Sequence, residues 1–499
     1  MPAQQEIVDG LSTDHLEADL KGRSVRGGLV TLTSQSAQFV LQSTSTVVLA
    51  RLLTPADFGM VAMVTAITGL ASAFADLGLS EATIQRKDIT HHQVSALFWI
   101  NVAIGLGLTL ITVALAPVLV RLNHEPRLLG ITLLLSVTFL IGGLRVQPDA
   151  LLKRQMRFSS LAIRDIASYC VAVAVAIGMA WRGAGYWAIV AFPLSLNLMQ
   201  MLLSWLMVKR RPGVPRRGAN VGSMVAFGGN VAASYLIFNL NRSVDNILIG
   251  WYWGAAPLGL YSRAYNLLML PVRQLNAPIA SVAVPAFSKL QDDPERYARY
   301  YLRAINLITW ISLPLFGFLF VAAQPVIILV LGAKWREAAP VFQILAISAL
   351  GQMLFESIVW LLVSRGQSAR LLKLLFIVSP LIIGSFVVGL PFGIKGVALG
   401  YSLVLLAVLP WVLKFTFQGT QLTLGSLNRS LLYPLSVGLF AVGFAELVLH
   451  FFLPKPILAQ LLLVASCFAA AYLLSALIPS IRKEMLSLRK LSGELRISN

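Results

Sequence analysis

Charged side chains stand inside long apolar runs at Asp76, Arg242, Asp245, Arg263, Arg273 and Glu356. An arginine held deep in hydrocarbon costs at least about 2.5 to 3.5 kcal/mol on insertion scales, so it is retained where it meets a partner or a wet cavity. Guanidinium groups take carboxylate or phosphate oxygens in bidentate fashion, and the chemistry these arginines offer is anion binding. Arg263, Asn266, Arg273 and Gln274 fall within about a third of one helix's circumference, which gives that chemistry a common face. The carboxylates Asp76, Asp245 and Glu356 are candidate carriers of a proton or a sodium ion, because burial and neighbouring charge tune their protonation. A plainer reading stays open for part of the set. Arg242 and Asp245, three apart on one helix, can neutralise each other, and Arg263 can snorkel to an interface.

A neutral set accompanies the charged one. Gln35, Gln38, Gln42 and Thr46 recur on one helical face, and Tyr235, Asn239, Arg242 and Asn246 do the same some 200 residues later. A polar stripe along a membrane helix avoids lipid, since each unpaired polar group there costs on the order of a few kcal/mol. Such a stripe either glues neighbouring helices, at roughly 0.6 to 2 kcal/mol per contact, or lines a cavity, and the residues alone leave both open.

The elements that must position these residues are membrane helices. Hydrophobic residues make up 57% of the 499 positions and charged residues 12%, too little polar surface to solvate a globule of this size. Apolar runs of roughly 18 to 25 residues recur from about Gly28 to about Pro479, each long enough to cross a bilayer. About fourteen such runs are expected, including 128–146 and 223–249, with polar connections at about 145–162, 209–222 and 286–302. The fold class is therefore an all-α polytopic membrane protein. Its expected organisation is a cytoplasmic tail at 1–27, a six-helix lobe at 28–208, a basic linker at 209–222, a second six-helix lobe at 223–413, two more helices within 414–479, and a basic interfacial tail at 480–499.

The chain has 40 Lys plus Arg against 21 Asp plus Glu. With both termini in the cytoplasm, bases on that side outnumber those opposite by roughly three to one, which supports this orientation and an even number of spans. Sliding the chain by 200 residues aligns Thr46 to Gly59 with Asn246 to Gly259, matching Ala56 with Ala256 and Gly59 with Gly259. Two lobes related by a repeat place a binding site near the membrane middle. The expected cavity is lopsided, with a neutral wall from the first lobe and a cationic wall from the second.

Several functions are excluded or left unsupported. No phosphate loop, dinucleotide fingerprint, HExxH or nucleophile elbow occurs, so no cofactor, metal or catalytic residue is expected. Cys170 and Cys467 lie inside apolar runs without metal-ligand spacing, and His91 and His92 are adjacent in a loop, where neighbouring side chains diverge. The connections are too short for a soluble catalytic domain, which argues against a membrane glycosyltransferase or polymerase.

The stretch FNLNRSVDNILIGWYWGAAPLGLYSRAYNLLMLPVRQLNAPIASVAVPAFSKLQDD, Phe238 to Asp293, resembles the polysaccharide transport branch of the multidrug/oligosaccharidyl-lipid/polysaccharide flippase superfamily, the Wzx-type flippases. So do Ala50 to Val64, Phe74 to Asp88 and Ala150 to Ala162. The resemblance implies twelve core helices in two lobes plus two more. It implies no enzyme but a flippase in a bacterial inner membrane, moving undecaprenyl-diphosphate-linked oligosaccharide for exopolysaccharide or O-unit synthesis, with a polysaccharide polymerase and export complex as possible partners and no nucleic acid. On that reading the diphosphate meets Arg242, Arg263 or Arg273, the sugars meet Gln35, Gln38, Gln42, Asn239 and Asn246, and the tail stays in lipid. A multidrug exporter of the same superfamily is the alternative, and the cationic second lobe argues against its acidic drug pocket.

Overall fold

The computed structural model describes residues 20–72, 74, 78–85, 89–208, 212–213, 243–452 and 454–484. Arg242, Asn239, Tyr235 and Asp76 lie outside them, as do most of the expected span 223–249 and the end of the tail. The chain divides into two compact units, Met1–Gly259 and Leu260–Asn499.

The first unit holds α1 (Leu20–Leu52), α2 (Pro55–Ser72), α3 (Leu79–Gln85), α4 (His91–Asn123), α5 (Leu128–Arg154), α6 (Phe158–Trp181), α7 (Tyr186–Met207) and α8 (Val244–Trp253). α9 (Ala255–Lys289) begins in the first unit and continues in the second. There follow α10 (Pro294–Val321), α11 (Ala323–Val330), α12 (Ala338–Ser364), α13 (Ser368–Gly389), α14 (Gly393–Phe417), α15 (Leu424–Phe451) and α16 (Ile457–Ser475). All the regular elements among the described residues are helical. Eleven segments are long and apolar enough to cross a membrane, and one of them, Ser368–Phe417, contains two helices broken at the 3-10 turn Leu390–Phe392. α1 is not among the eleven; its Gln, Ser and Thr content lowers its hydropathy. This is a multi-pass membrane protein.

Local chemistry sets where the helices begin. Thr90 and Gln93 form a reciprocal capping box at the start of α4, each side chain accepting from the other's backbone N–H at 3.3 and 3.1 Å. Thr423 and Ser426 repeat it at α15. Asp293 caps α10 by accepting from Arg296 N at 3.0 Å, with Pro294 at the first turn where its missing N–H is harmless.

Two polar connections expected from composition are mostly helix. α5 runs on to Arg154 and leaves only residues 155–157 before α6, and α9 and α10 leave only 290–293 between them. The reason is physical: a helix outlasts the apolar run that marks it, because its polar ends stand in the headgroup region or line a polar interior.

In the first unit α1 packs on α6, α6 on α7, α7 on α5 and α5 on α4; in the second, α12 packs on both α10 and α14, α14 on α13, and α15 on α10 and α16. Close crossings use glycine. A Cβ on Gly59 would stand 1.7 Å from the Ala255 carbonyl oxygen, and one on Gly259 would stand 1.8 Å from that of Pro55. The offset of 200 residues carries Gly59 to Gly259 and Pro55 to Ala255, so this contact is its own image under the repeat read from the sequence.

Candidate functional site

Five side chains on three helices close a ring inside the first unit. Arg145 and Asp149 are one turn apart on α5, Arg164 and Asp165 stand in the second turn of α6, and Gln200 comes from α7. Arg145 donates to Gln200 Oε1 and lies with its Nε 3.4 Å from Asp149 Oδ2. Arg164 donates to Asp149 through Nη1, and to Asp165 Oδ1 through Nε at 2.9 Å and Nη2 at 2.6 Å. Gln200 Nε2 donates to the same Asp165 oxygen at 3.2 Å and completes the circuit. Ser204, one turn beyond Gln200, donates to Asp149 Oδ1 at 2.6 Å and accepts from Arg164 Nη1 at 3.1 Å.

The ring contains two positive and two negative groups, and these four charged side chains are only 8 to 25% exposed. Such a network is tolerated in a membrane bundle because each charge is both paired and hydrogen-bonded. Removing one partner would strand the opposite charge, at about 3 to 5 kcal/mol.

Backbone chemistry on α5 helps to place the ring. Pro148 has no N–H, so the Leu144 carbonyl one turn earlier lacks its helical donor. Trp205 Nε1 on α7 supplies one instead, at 3.0 Å. The second unit repairs Pro434 in the same way: Asn306 Nδ2 donates to the freed Ser430 carbonyl at 2.5 Å. Neighbouring helices thus satisfy groups that lipid cannot.

Beside the ring lies a cavity of about 400 Å³, lined by Thr138, Gly142, Arg145, Asp149, Lys153 and Asn197, with Ser72 and Ser80 contributed by α2 and α3. Its wall mixes a guanidinium, an ammonium, a carboxylate, hydroxyls and an amide, a set that can donate to oxyanion oxygens and both donate to and accept from hydroxyls. No heavy atom lies within 4 Å of a Cβ added at Gly142, so there the wall is bare backbone over open space. A second cavity, of about 240 Å³, is nearly all apolar, with Met63 and Ile67 of α2, Leu119 and Leu122 of α4, and Ile247 and Trp251 of α8.

The residues expected from the sequence fall in several places. Gln35 and Gln42 are exposed on α1, and Gln38 is half-buried, donating to Ser34 Oγ at 3.0 Å. Asn246 edges the apolar cavity with its Oδ1 buried and without a hydrogen bond. Asp245 is buried beside it and accepts from Asn246 N at 2.7 Å. Arg263 is half-buried on α9, Arg273 is exposed further along the same helix, and Glu356 is half-buried on α12. The structure brings Asp245 and Asn246 together in the first unit, while Arg263, Arg273 and Glu356 belong to the second.

Sequence reasoning missed the ring. It placed 145–162 in a polar connection, where charges read as orientation signals. The available signal was spacing: Arg145, Asp149 and Lys153 repeat every fourth residue, as do Gln200 and Ser204. The bases read as orientation signals also have structural partners. Arg154 is buried and donates to Thr83 O and Ile84 O at 3.0 and 3.4 Å, and Arg157 donates to Met207 O at 3.0 Å, covering carbonyls at the ends of α3 and α7. Arg365 and Arg370 do likewise at the end of α14, donating to Gly419 O and Gln418 O, each at 3.0 Å.

This architecture has solved counterparts. The structure aligns with a lipid II flippase MurJ in an inward closed conformation at a TM-score of 0.72, with 14% identity, covering 91% of this chain and 99% of that one. The likeness defines the fold class, a helical membrane protein with the architecture of that structure. Residues 48–340 match the family described as Polysaccharide biosynthesis protein, and the chain belongs to that family. It is 28% identical to the lipopolysaccharide biosynthesis protein WzxC of Escherichia coli (strain K12), over 72% of this chain and 73% of that protein. It is 24% identical to the succinoglycan biosynthesis transport protein ExoT of Rhizobium meliloti (strain 1021), over 63% and 64%.

Proposed function

We propose that this chain is a flippase, not an enzyme, that moves undecaprenyl-diphosphate-linked oligosaccharide from the cytoplasmic to the periplasmic leaflet of a bacterial inner membrane, for exopolysaccharide or O-unit synthesis. Family membership over residues 48–340 carries the reading, with relatives named for lipopolysaccharide biosynthesis and succinoglycan transport. The polar cavity among membrane helices supports it, since a glycan crossing the bilayer needs polar groups at depth.

Both termini are cytoplasmic on this reading, and the two lobes work by alternating access. Arg242, Arg263 and Arg273 take the diphosphate, and Gln35, Gln38, Gln42, Asn239 and Asn246 take sugar hydroxyls. Asp76, Asp245 and Glu356 are candidates for coupling an ion. The test is the leaflet location of the lipid-linked oligosaccharide in a deletion strain, read with a membrane-impermeant glycan label on spheroplasts. Loss of labelled intermediate outside, with accumulation inside, is the expected result. Normal arrival at the outer leaflet, with no redundant flippase, would overturn the proposal and turn attention to drug export.

A further inference from the structure

We propose that the cavity of the first unit is a separate anion subsite, in which Arg145 and Lys153 hold one oxyanion of the transported molecule. The inference rests on the flippase reading and deepens it. Diphosphate binding was expected only at arginines from Arg242 onward, yet every described residue lining this cavity belongs to α2, α3, α5 or α7.

Charge is the first argument. Within the ring Arg145 and Arg164 balance Asp149 and Asp165, and Asp149 is further occupied by the Ser204 hydroxyl. Lys153 has no carboxylate within salt-bridge distance among the described residues, so the described part of the cavity wall, with Arg145 and Lys153 against Asp149, carries one surplus positive charge. Arg145 is fixed by Gln200 on one side, and its Nε remains a buried donor without a hydrogen bond. A pinned guanidinium is preorganised, which lowers the entropy lost when it receives an anion.

Size and reach are the second. About 400 Å³ is far more than one water requires and suits a phosphate or a sugar carboxylate with its neighbouring hydroxyls. Arg145 and Lys153 lie eight residues apart on α5, about 12 Å along the axis, and long side chains can close that gap upon one group between them. The open wall at Gly142 leaves room for the ligand to approach backbone. Asp165, Arg164 and Gln200 do not line the cavity and act as positioning residues for Arg145 and Asp149.

The oxyanion has two possible sources with one chemistry: the diphosphate of the lipid carrier, or the carboxylate of an acidic sugar. The experiment is isothermal titration of the purified full chain in detergent with inorganic pyrophosphate, with glucuronate, and with glucose as the neutral control. Wild type is expected to bind at least one anion and not glucose. Lys153→Gln should weaken the binding at this subsite by about tenfold, and Gly142→Leu, which fills the cavity without changing charge, should remove that component while leaving any binding at Arg242, Arg263 and Arg273 in place. Pyrophosphate binding alone assigns the site to the carrier, and glucuronate binding assigns it to the glycan. Binding of neither anion by wild type, or affinities within about twofold of wild type in both folded variants, would overturn the proposal. The leaflet assay stands apart: translocation without anion binding sinks only this subsite, whereas anion binding without translocation sinks the flippase reading.

Discussion

Gly59→Ala puts the crossing of α2 with the start of α9 to a direct test. The new Cβ would lie 1.7 Å from the Ala255 carbonyl oxygen and 2.5 Å from its carbon, and real Cβ contacts essentially never fall below 3.0 Å, so the two backbones must part by about 1.3 Å. Both obstructing atoms are main chain, and no rotamer change relieves them. Overpacking of this kind costs typically about 1 to 3 kcal/mol, and the rigid obstruction places Gly59→Ala near the upper end. For a unit of this size about 3 kcal/mol lowers the melting temperature by roughly 6 to 12 °C. Gly259→Ala meets Pro55 at 1.8 Å and should cost about the same. Because one separation admits both methyls, the double variant should fall short of additivity by at least about 1 kcal/mol. Gly107→Ala on α4 is the control: nothing lies within 4 Å of its Cβ, and a helix-interior exchange there should be neutral or stabilising by about 0.5 to 1 kcal/mol. The assay is thermal unfolding of the full chain in detergent, followed by circular dichroism. A Gly59→Ala protein that melts with wild type, or strictly additive losses in the double variant, would refute the reciprocal packing.

Three other outcomes follow from local geometry. Met156 closes α5 with φ of 52°, the position that Gly366 fills after α12 with φ of 66°, so Met156→Gly should stabilise by about 1 kcal/mol and Gly366→Ala destabilise by a similar amount, both read as shifts in melting temperature. Trp205→Phe strands the Leu144 carbonyl and should cost about 1 to 3 kcal/mol beyond the loss of ring contacts; Pro148→Ala restores a helical donor, so the double variant should melt above Trp205→Phe alone. In the connection between α4 and α5, the Arg127 hydrogen bond holds the Glu125 carboxyl below its ordinary value, against a smaller upward push from burial. Its stabilisation is present above the ordinary glutamate value near about 4.3 and is lost as pH falls through the lowered one, so Glu125→Gln should reduce stability at pH 7 by no more than about 0.5 kcal/mol, a difference that shrinks as the pH is taken down through the acid range.

Much of this protein was legible in residue order. The apolar runs, their length and the scarcity of charge dictate membrane helices, because a backbone in lipid must satisfy its own hydrogen bonds. The 200-residue offset found Gly59 and Gly259 with few identities to support it, since a close crossing at each repeat demands glycine. The family resemblance in Phe238 to Asp293 and three shorter stretches led to the same family that matches residues 48–340.

What order could not give was partnership. Arg145 and Gln200 are 55 residues apart, and Arg154 and Thr83 are 71 apart; only the packing of α5 on α3 and α7 decides that these groups meet. A basic residue near a helix end reads as an orientation signal whether it faces headgroups or covers a neighbour's carbonyls, and its charge alone does not separate the two. The sequence determined that the chain spans a membrane with polar groups at depth. Tertiary structure decided which of those groups neutralise one another and which face open space, because a side chain's electrostatic role depends on distances that helical periodicity does not fix between different helices.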